Sequence, residues 1–189
     1  MLNSLITSRT RLRMLIKFFV SATNNGYLNG LATEFNESTN SIRKELNNLS
    51  GAGYLHKSKE NNKVIYNANT THPMFEILQK IIRQHLGLEE IVETVIKRIG
   101  DVDQIALTGD YAKGIDSGNI EIIINGSDVN NEYLKNIKSK IKKKIGREVT
   151  FLLNQKLDSN SIILYKKWLY ELACSIYKTK KWEKGRKAT

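Results

Sequence analysis

The chain has 189 residues, 40% of them hydrophobic, enough for one large domain or two small ones with real cores. Its formal net charge of +11 divides as +6 over residues 1–87, −1 over 88–155 and +6 over 156–189, so basic charge at both ends points to a polyanionic partner. A single cysteine, Cys174, excludes an internal disulfide framework and a four-cysteine zinc site, and no run reaches the roughly 20 apolar residues that span a bilayer.

The run Met14–Val20 is short, Arg11, Arg13 and Lys17 stand in or beside it, and no small-residue cleavage site follows. A cytoplasmic protein with no membrane partner is therefore expected. Thr7 or Ser8 caps a helix running to about Ala22, with Leu12, Leu15, Ile16, Phe19 and Val20 at helical spacing. Asn24-Asn25-Gly26 stops it, because these residues tolerate the left-handed backbone of a C-cap. A short helix over Gly30–Phe35 follows. After the turn Asn36-Glu37, Ser38 is a good N-cap for a helix that buries Ile42, Leu46 and Leu49. Gly51 and Gly53 end that helix. Tyr54–Lys59 and Lys63–Asn67 then read as strands of a hairpin around Asn61-Asn62.

Helix, short helix, turn, helix and hairpin is the order of a winged helix-turn-helix. The run Leu31-Ala32-x-Glu34-Phe35-x-x-Ser38-x-x-x-Ile42-x-x-x-Leu46-x-x-Leu49-x-x-Ala52-Gly53-Tyr54-Leu55 resembles the winged-helix part of ArsR and MarR-like bacterial repressors, over residues 8–70. That resemblance implies double-stranded DNA as partner, read by the third helix in the major groove. With Ile42, Leu46 and Leu49 inward, the outward residues are Thr39, Asn40, Arg43, Lys44 and Asn47; Arg pairs with guanine and Asn with adenine through two hydrogen bonds each. Lys57, Lys59 and Lys63 of the hairpin suit phosphate or minor-groove contact. Glu45 flanks the core side. The metal-sensing members of the family use Cys, His and carboxylate ligands; here there is no Cys in this part and His56 stands alone, so no metal is expected.

Pro73 is placed in the first turn of a helix Met74–Leu86, whose apolar members are Phe75, Leu78, Ile81, Ile82 and Leu86. Two readings stand for this helix: homodimerisation, or packing within one chain. Gly87 ends it, and a second helix, Leu88–Ile99, aligns Ile91, Val92, Val95 and Ile99. Strands are expected over Asp103–Thr108, Asn119–Ile124 and Glu148–Leu153, with a lysine-rich helix Glu132–Ile145 between the last two.

This order of helix, strand, strand, helix, strand over residues 88–153 is similar to the core of polymerase-β-like minimal nucleotidyltransferases. The family pattern is approximately Gly-Ser-x-Ala-x-Gly, a loop, then Asp-x-Asp on the next strand. Here the chain reads Gly109-Asp110-Tyr111-Ala112-Lys113-Gly114, a shorter loop, then Asn119-Ile120-Glu121. The departures are chemical. Asp110 replaces the phosphate-binding Ser and would repel a triphosphate. Asn119 and Glu121 replace the two metal-binding Asp, and only Glu148 stands near the place of the third carboxylate. Phosphoryl transfer rests almost wholly on metal positioning, so no catalytic residue, metal or cofactor is expected. Winged-helix regulators fused to such degenerate domains carry Gly-Asp-x-Ala-x-Gly-x-Asp-x-Gly, which this chain matches from Gly109 to Gly118. The resemblance implies a ligand-sensing or dimerising domain, with Gly109, Asp110, Lys113, Gly114, Asn119 and Glu121 around an effector.

The last segment, Ile162–Tyr177, has helical spacing of Tyr165, Trp168, Leu169, Leu172 and Ile176, and a basic run, Lys178–Lys187, follows. The expected fold is α+β: a winged helix-turn-helix over 1–72, a connecting helix over 73–87, a nucleotidyltransferase-like α/β domain over 88–155, and a terminal helix and tail over 156–189. The expected function is a homodimeric DNA-binding transcriptional regulator whose second domain either senses a small-molecule effector or serves dimerisation. The alternatives are an active metal-dependent nucleotidyltransferase with a nucleic-acid-binding arm, and a toxin–antitoxin component.

Overall fold

A computed structural model describes residues 5–127 and 129–168, apart from the side chain of Arg98. The described residues form seven helices and two sheets, a mixed α+β fold. The chain begins with α1 (Arg9–Phe19), β1 (Asn25–Tyr27), α2 (Leu28–Phe35), α3 (Thr39–Gly51), β2 (Leu55–Glu60) and β3 (Lys63–Ala68). The first sheet has the order β1-β3-β2, antiparallel throughout. Strand β1 falls where the sequence shows only a helix stop, because a three-residue strand carries no periodicity of its own.

Helix α1 departs from its expected single apolar face. Met14 through Val20 are all buried, Lys17 included. The helix is central, packing on α3, β3 and the next helix α4 (Phe75–Leu86), so it has no solvent side in its second half. Lys17 reconciles its charge with burial through an ion pair to Glu34 at 2.9 Å. The rings of Phe19 and Phe75 meet at 5.9 Å between centroids.

Helix α4 begins after Pro73 rather than with it in the first turn, and ends at Gly87 in the left-handed conformation. It buries Phe75, Ile82 and Leu86, whereas Ile81, expected in the core, is turned outward with Met74 and Ile77. Helix α5 (Leu88–Arg98) buries Ile91 and Val95.

The second sheet contains β4 (Asp101–Thr108), β5 (Asn119–Ser127), β6 (Glu148–Leu153) and β7 (Ile162–Lys166), in the order β6-β5-β4-β7. Between them lie α6 (Gly109–Ala112) and α7 (Asn131–Ile145). Strands β5 and β6 are parallel, joined through α7; the other pairs are antiparallel. Ile105, Leu107, Ile120, Ile122 and Ile124 turn one face of this sheet into the main core.

Strand β7 corrects the expectation of a helix starting at Ile162. The open edge of β4 offers a row of unpaired backbone groups, and Ile162, Ile163 and Tyr165 are strand-favouring residues that pair with Leu107, Ala106 and Ile105. The remainder of the expected terminal helix, Cys174 and the basic run Lys178–Lys187 lie outside the described residues. The sheet thus extends past residue 155. The buried apolar residues form one continuous cluster from Met14 to Val149, through the joins at 72 and 87.

Candidate functional site

Ser38 caps α3, its hydroxyl accepting from the Ser41 amide at 3.2 Å. This sets the phase of the helix: Ile42, Leu46 and Leu49 are buried, and Thr39, Asn40, Arg43, Lys44 and Asn47 are all exposed. Arg43 touches Asn40 at 3.4 Å, and no acidic residue stands on this face. Glu45 is buried at 6% exposure, where its carboxylate accepts from Arg11 at 2.8 Å and from the Ser8 hydroxyl at 3.3 Å. The only acid in the middle of α3 is therefore spent on fastening that helix to the start of α1.

The hairpin turns at Asn61-Asn62, both in the left-handed region, as a two-residue turn of matching twist requires. Lys57, Lys59 and Lys63 are all exposed, but the ladder separates them. Lys57 and Lys59 share the face of Tyr66, whose ring lies 5.7 Å from the Lys57 ammonium. Lys63 stands on the other face, 4.6 Å from the ring centroid of the half-exposed Tyr27.

The second motif occupies the β4–α6–β5 turn. Asp110 and Lys113 are exposed and Asn119 and Glu121 half-buried. Thr108 faces Glu121 across the β4–β5 ladder, and the Glu121 carboxylate lies directly over Gly109, filling the space a side chain there would need. Asn119 accepts from the Thr150 hydroxyl at 3.0 Å. Glu148 pairs with Lys142. Asp158, from the loop before β7, takes hydrogen bonds from Ser161 at 2.6 Å and Thr108 at 3.2 Å, and these hold its carboxyl below the usual range. Among the described residues no group of three or more His, Cys, Asp or Glu could hold a metal ion. Gly114, expected beside a ligand, is instead buried: a Cβ there would lie 2.5 Å from the Lys17 Cα. Its absence of a side chain serves helix packing against α1, not a cradle.

Sequence reasoning missed the polar cluster on the far side of this turn. Tyr111 is fully buried, and its hydroxyl meets Asp116 in a short hydrogen bond while accepting from Arg147 Nε at 3.0 Å and Gly118 N at 3.2 Å. Burial first, then the Asp116 hydrogen bond, pushes its pKa up to about 12. Arg147 also reaches the His85 carbonyl and ring, each at 3.4 Å, and Asp116 at 3.5 Å. Two clefts flank the cluster. One, of about 920 Å³, is bordered by His85, Gly87, Lys144, Ile145 and Arg147. The other, of about 500 Å³, lies between the start of α1 and the Asp116–Gly118 loop. Asp116 was legible as the second Asp of the Gly-Asp-x-Ala-x-Gly-x-Asp-x-Gly run; Arg147, 31 residues away from it, carried no sequence signal.

His85 gives this cluster a pH dependence. Burial, then the Arg147 charge, lowers its pKa. The unfolded chain therefore takes up the proton first, near pH 6.5, and the folded state loses stability as pH falls from there toward the lowered value. Urea unfolding of wild type and His85→Asn, compared from pH 8 to pH 5, is expected to show wild type losing ground to the variant on the acid side. A pH-independent difference would refute this.

No protein-family model matches the chain, and no curated protein matches it. Among solved structures it is similar to the AntR antimony-specific transcriptional repressor, at 18% identity and a TM-score of 0.37 over 49% of this chain and 77% of that one. It is similar also to a mutant of the toxin–antitoxin MntA-HpeT, at 17% identity and a TM-score of 0.37 over 53% and 92% of the two chains. A third is the transcriptional regulator BldR from Sulfolobus solfataricus, at 13% identity and a TM-score of 0.35 over 52% and 68%. No helix among the described residues is long and apolar enough to cross a membrane.

Proposed function

We propose that this protein is a DNA-binding transcriptional regulator, a winged helix-turn-helix joined to a nucleotidyltransferase-like unit without transferase activity. The observation that carries the reading is the outward face of α3: Thr39, Asn40, Arg43, Lys44 and Asn47, all exposed on a capped helix whose one central acid is buried and paired. Such a face presents the bidentate donors that read base edges. The β2–β3 hairpin adds Lys57, Lys59 and Lys63 for the phosphate backbone. Helix α4 leaves Met74, Ile77 and Ile81 on its outer side, spaced three and four apart, which suits a homodimer that would read two half-sites.

Selection of bound sequences from a random duplex pool tests this. An inverted repeat is the expected product; recovery of no enriched sequence would sink the reading. The second unit is expected to transfer no label from any nucleoside triphosphate in Mg²⁺, because Asn119 is a neutral amide and Glu148 is held by Lys142. Labelling that disappears in Glu121→Ala would reverse that part.

A further inference from the structure

The cleft of about 500 Å³ is walled by three arginines from two distant parts of the chain, and the proposed DNA-reading face uses none of them. Arg9 and Arg13 come from the first turns of α1 and Arg147 from the bend just before β6, with Thr7, Ser117 and Gly118 beside them. The acid on its wall, Asp116, is already engaged by the Tyr111 hydroxyl and by Arg147. The charges of Asp116 and Arg147 thus offset each other, and those of Arg9 and Arg13 remain. Arg9 is exposed and makes no hydrogen bond or ion pair among the described residues; Arg13 spends one nitrogen on the Phe35 carbonyl at 2.7 Å. Two guanidiniums with unused donors therefore border one cleft with no carboxylate left to neutralise them. A phosphate suits such a pair, since the planar fork of Arg matches its oxygens two at a time.

We propose that this cleft binds a phosphate-bearing small molecule. Its volume lies in the range of small-ligand sites. It shares Asp116, Gly118 and Arg147 with the larger cleft, where Gly87 and Ile145 offer an apolar wall for an uncharged body. The site is distinct from Gly109, Asp110 and Glu121, none of which borders either cleft. It is also placed to be felt elsewhere. The same turns of α1 that present Thr7, Arg9 and Arg13 to the cleft grip Glu45 of α3 through Ser8 and Arg11. An anion that orders the start of α1 therefore acts on the mounting of α3. Control of DNA binding by this route rests on the proposed function; occupancy of the cleft does not.

The test is calorimetric titration of the full chain, without DNA, with inorganic phosphate, a nucleoside monophosphate and succinate at constant ionic strength. Saturable binding of the two phosphate compounds is expected, weakened at least about tenfold in Arg9→Ala and in Arg13→Gln. Arg9→Ala removes no internal bond, so its fold is secure, and Lys138→Ala on α7 serves as a charge-matched control that keeps wild-type affinity. Absence of phosphate binding overturns the proposal. So does equal binding of succinate, or unchanged affinity in both arginine variants. Because no DNA is present, failure here leaves the regulator reading standing, and failure of the DNA selection leaves this site standing.

Discussion

Gly114→Val is expected to lower the stability of the chain by about 3 kcal/mol or more, moving the urea midpoint down by one molar or beyond. Two effects add. The backbone of Gly114 has φ +77°, where a β-branched side chain is strained by roughly 1–2 kcal/mol. A Cβ there would also lie 2.5 Å from the Cα and 2.7 Å from the carbonyl oxygen of Lys17, so the obstacle is helix backbone and cannot rotate aside. Relief requires α1 to move, and α1 is buried on all sides from Met14 to Val20. Overpacking of this kind costs about 1–3 kcal/mol.

Gly118→Val separates the two effects, because Gly118 has φ +89° but nothing within 4 Å of a built Cβ. It is expected to show the conformational cost alone. Equal losses in the two variants would mean that α1 does not press on Gly114. The comparison also measures how the two parts of the chain are joined, since Gly114 belongs to the motif between β4 and β5 and Lys17 to the first helix. The Asn24 side chain adds a hydrogen bond to the Ala112 carbonyl at 3.1 Å across the same contact.

That contact illustrates what the sequence could and could not disclose. Helix α3 was legible because its information is local: a serine cap, then Ile42, Leu46 and Leu49 at helical spacing, fix both its start and its outward face. The hairpin was legible for the same reason, with Asn61-Asn62 allowing a tight turn. Strands β4 to β6 and helix α7 followed from apolar period and glycine punctuation, within one or two residues at most ends. Position 114 was legible as a glycine but not in its purpose. Conserving a loop shape and clearing room for a helix leave the same letter, and only the approach of Lys17, 97 positions earlier, distinguishes them.

The other misreadings share that cause. Ile162–Tyr165 fits a helix or a strand by residue type; the open edge of β4 decides, and that edge is a property of the sheet. Lys17 looks like an interruption of an apolar run until Glu34 is found beside it. Ile81 fits the core stripe of α4, yet the helix rotates it outward to bury Ile82 and Leu86. In the candidate site, the exposed residues of α3 could be named because exposure is the complement of a local stripe. The Tyr111–Asp116–Arg147–His85 cluster could not, because Arg147 and His85 are 62 residues apart and neither belongs to a motif.

Replacing both Arg43 and Lys44 by Ala is expected to weaken binding to the selected DNA by about 30-fold or more at fixed salt, with little change in stability. Both side chains are exposed, and neither holds another element of the fold, so the unfolding free energy should change by no more than about 0.5 kcal/mol. The affinity loss comes from two unlike contacts. An arginine paired to a guanine contributes about 1–3 kcal/mol, and specificity with it. A lysine on a phosphate contributes mainly counterion release, so its loss lowers the slope of log affinity against log salt by about one. Fluorescence anisotropy of the two single variants assigns the roles. If Arg43 reads a base, Arg43→Ala relaxes the preference at one position of the half-site; if Lys44 holds a phosphate, Lys44→Ala weakens all sequences alike and flattens the salt dependence. A double variant with the same number of charges removed from α7, Lys135→Ala with Lys138→Ala, is expected to keep the selected affinity at fixed salt. Equal weakening by the two double variants would show that net charge, and not the α3 face, holds the DNA.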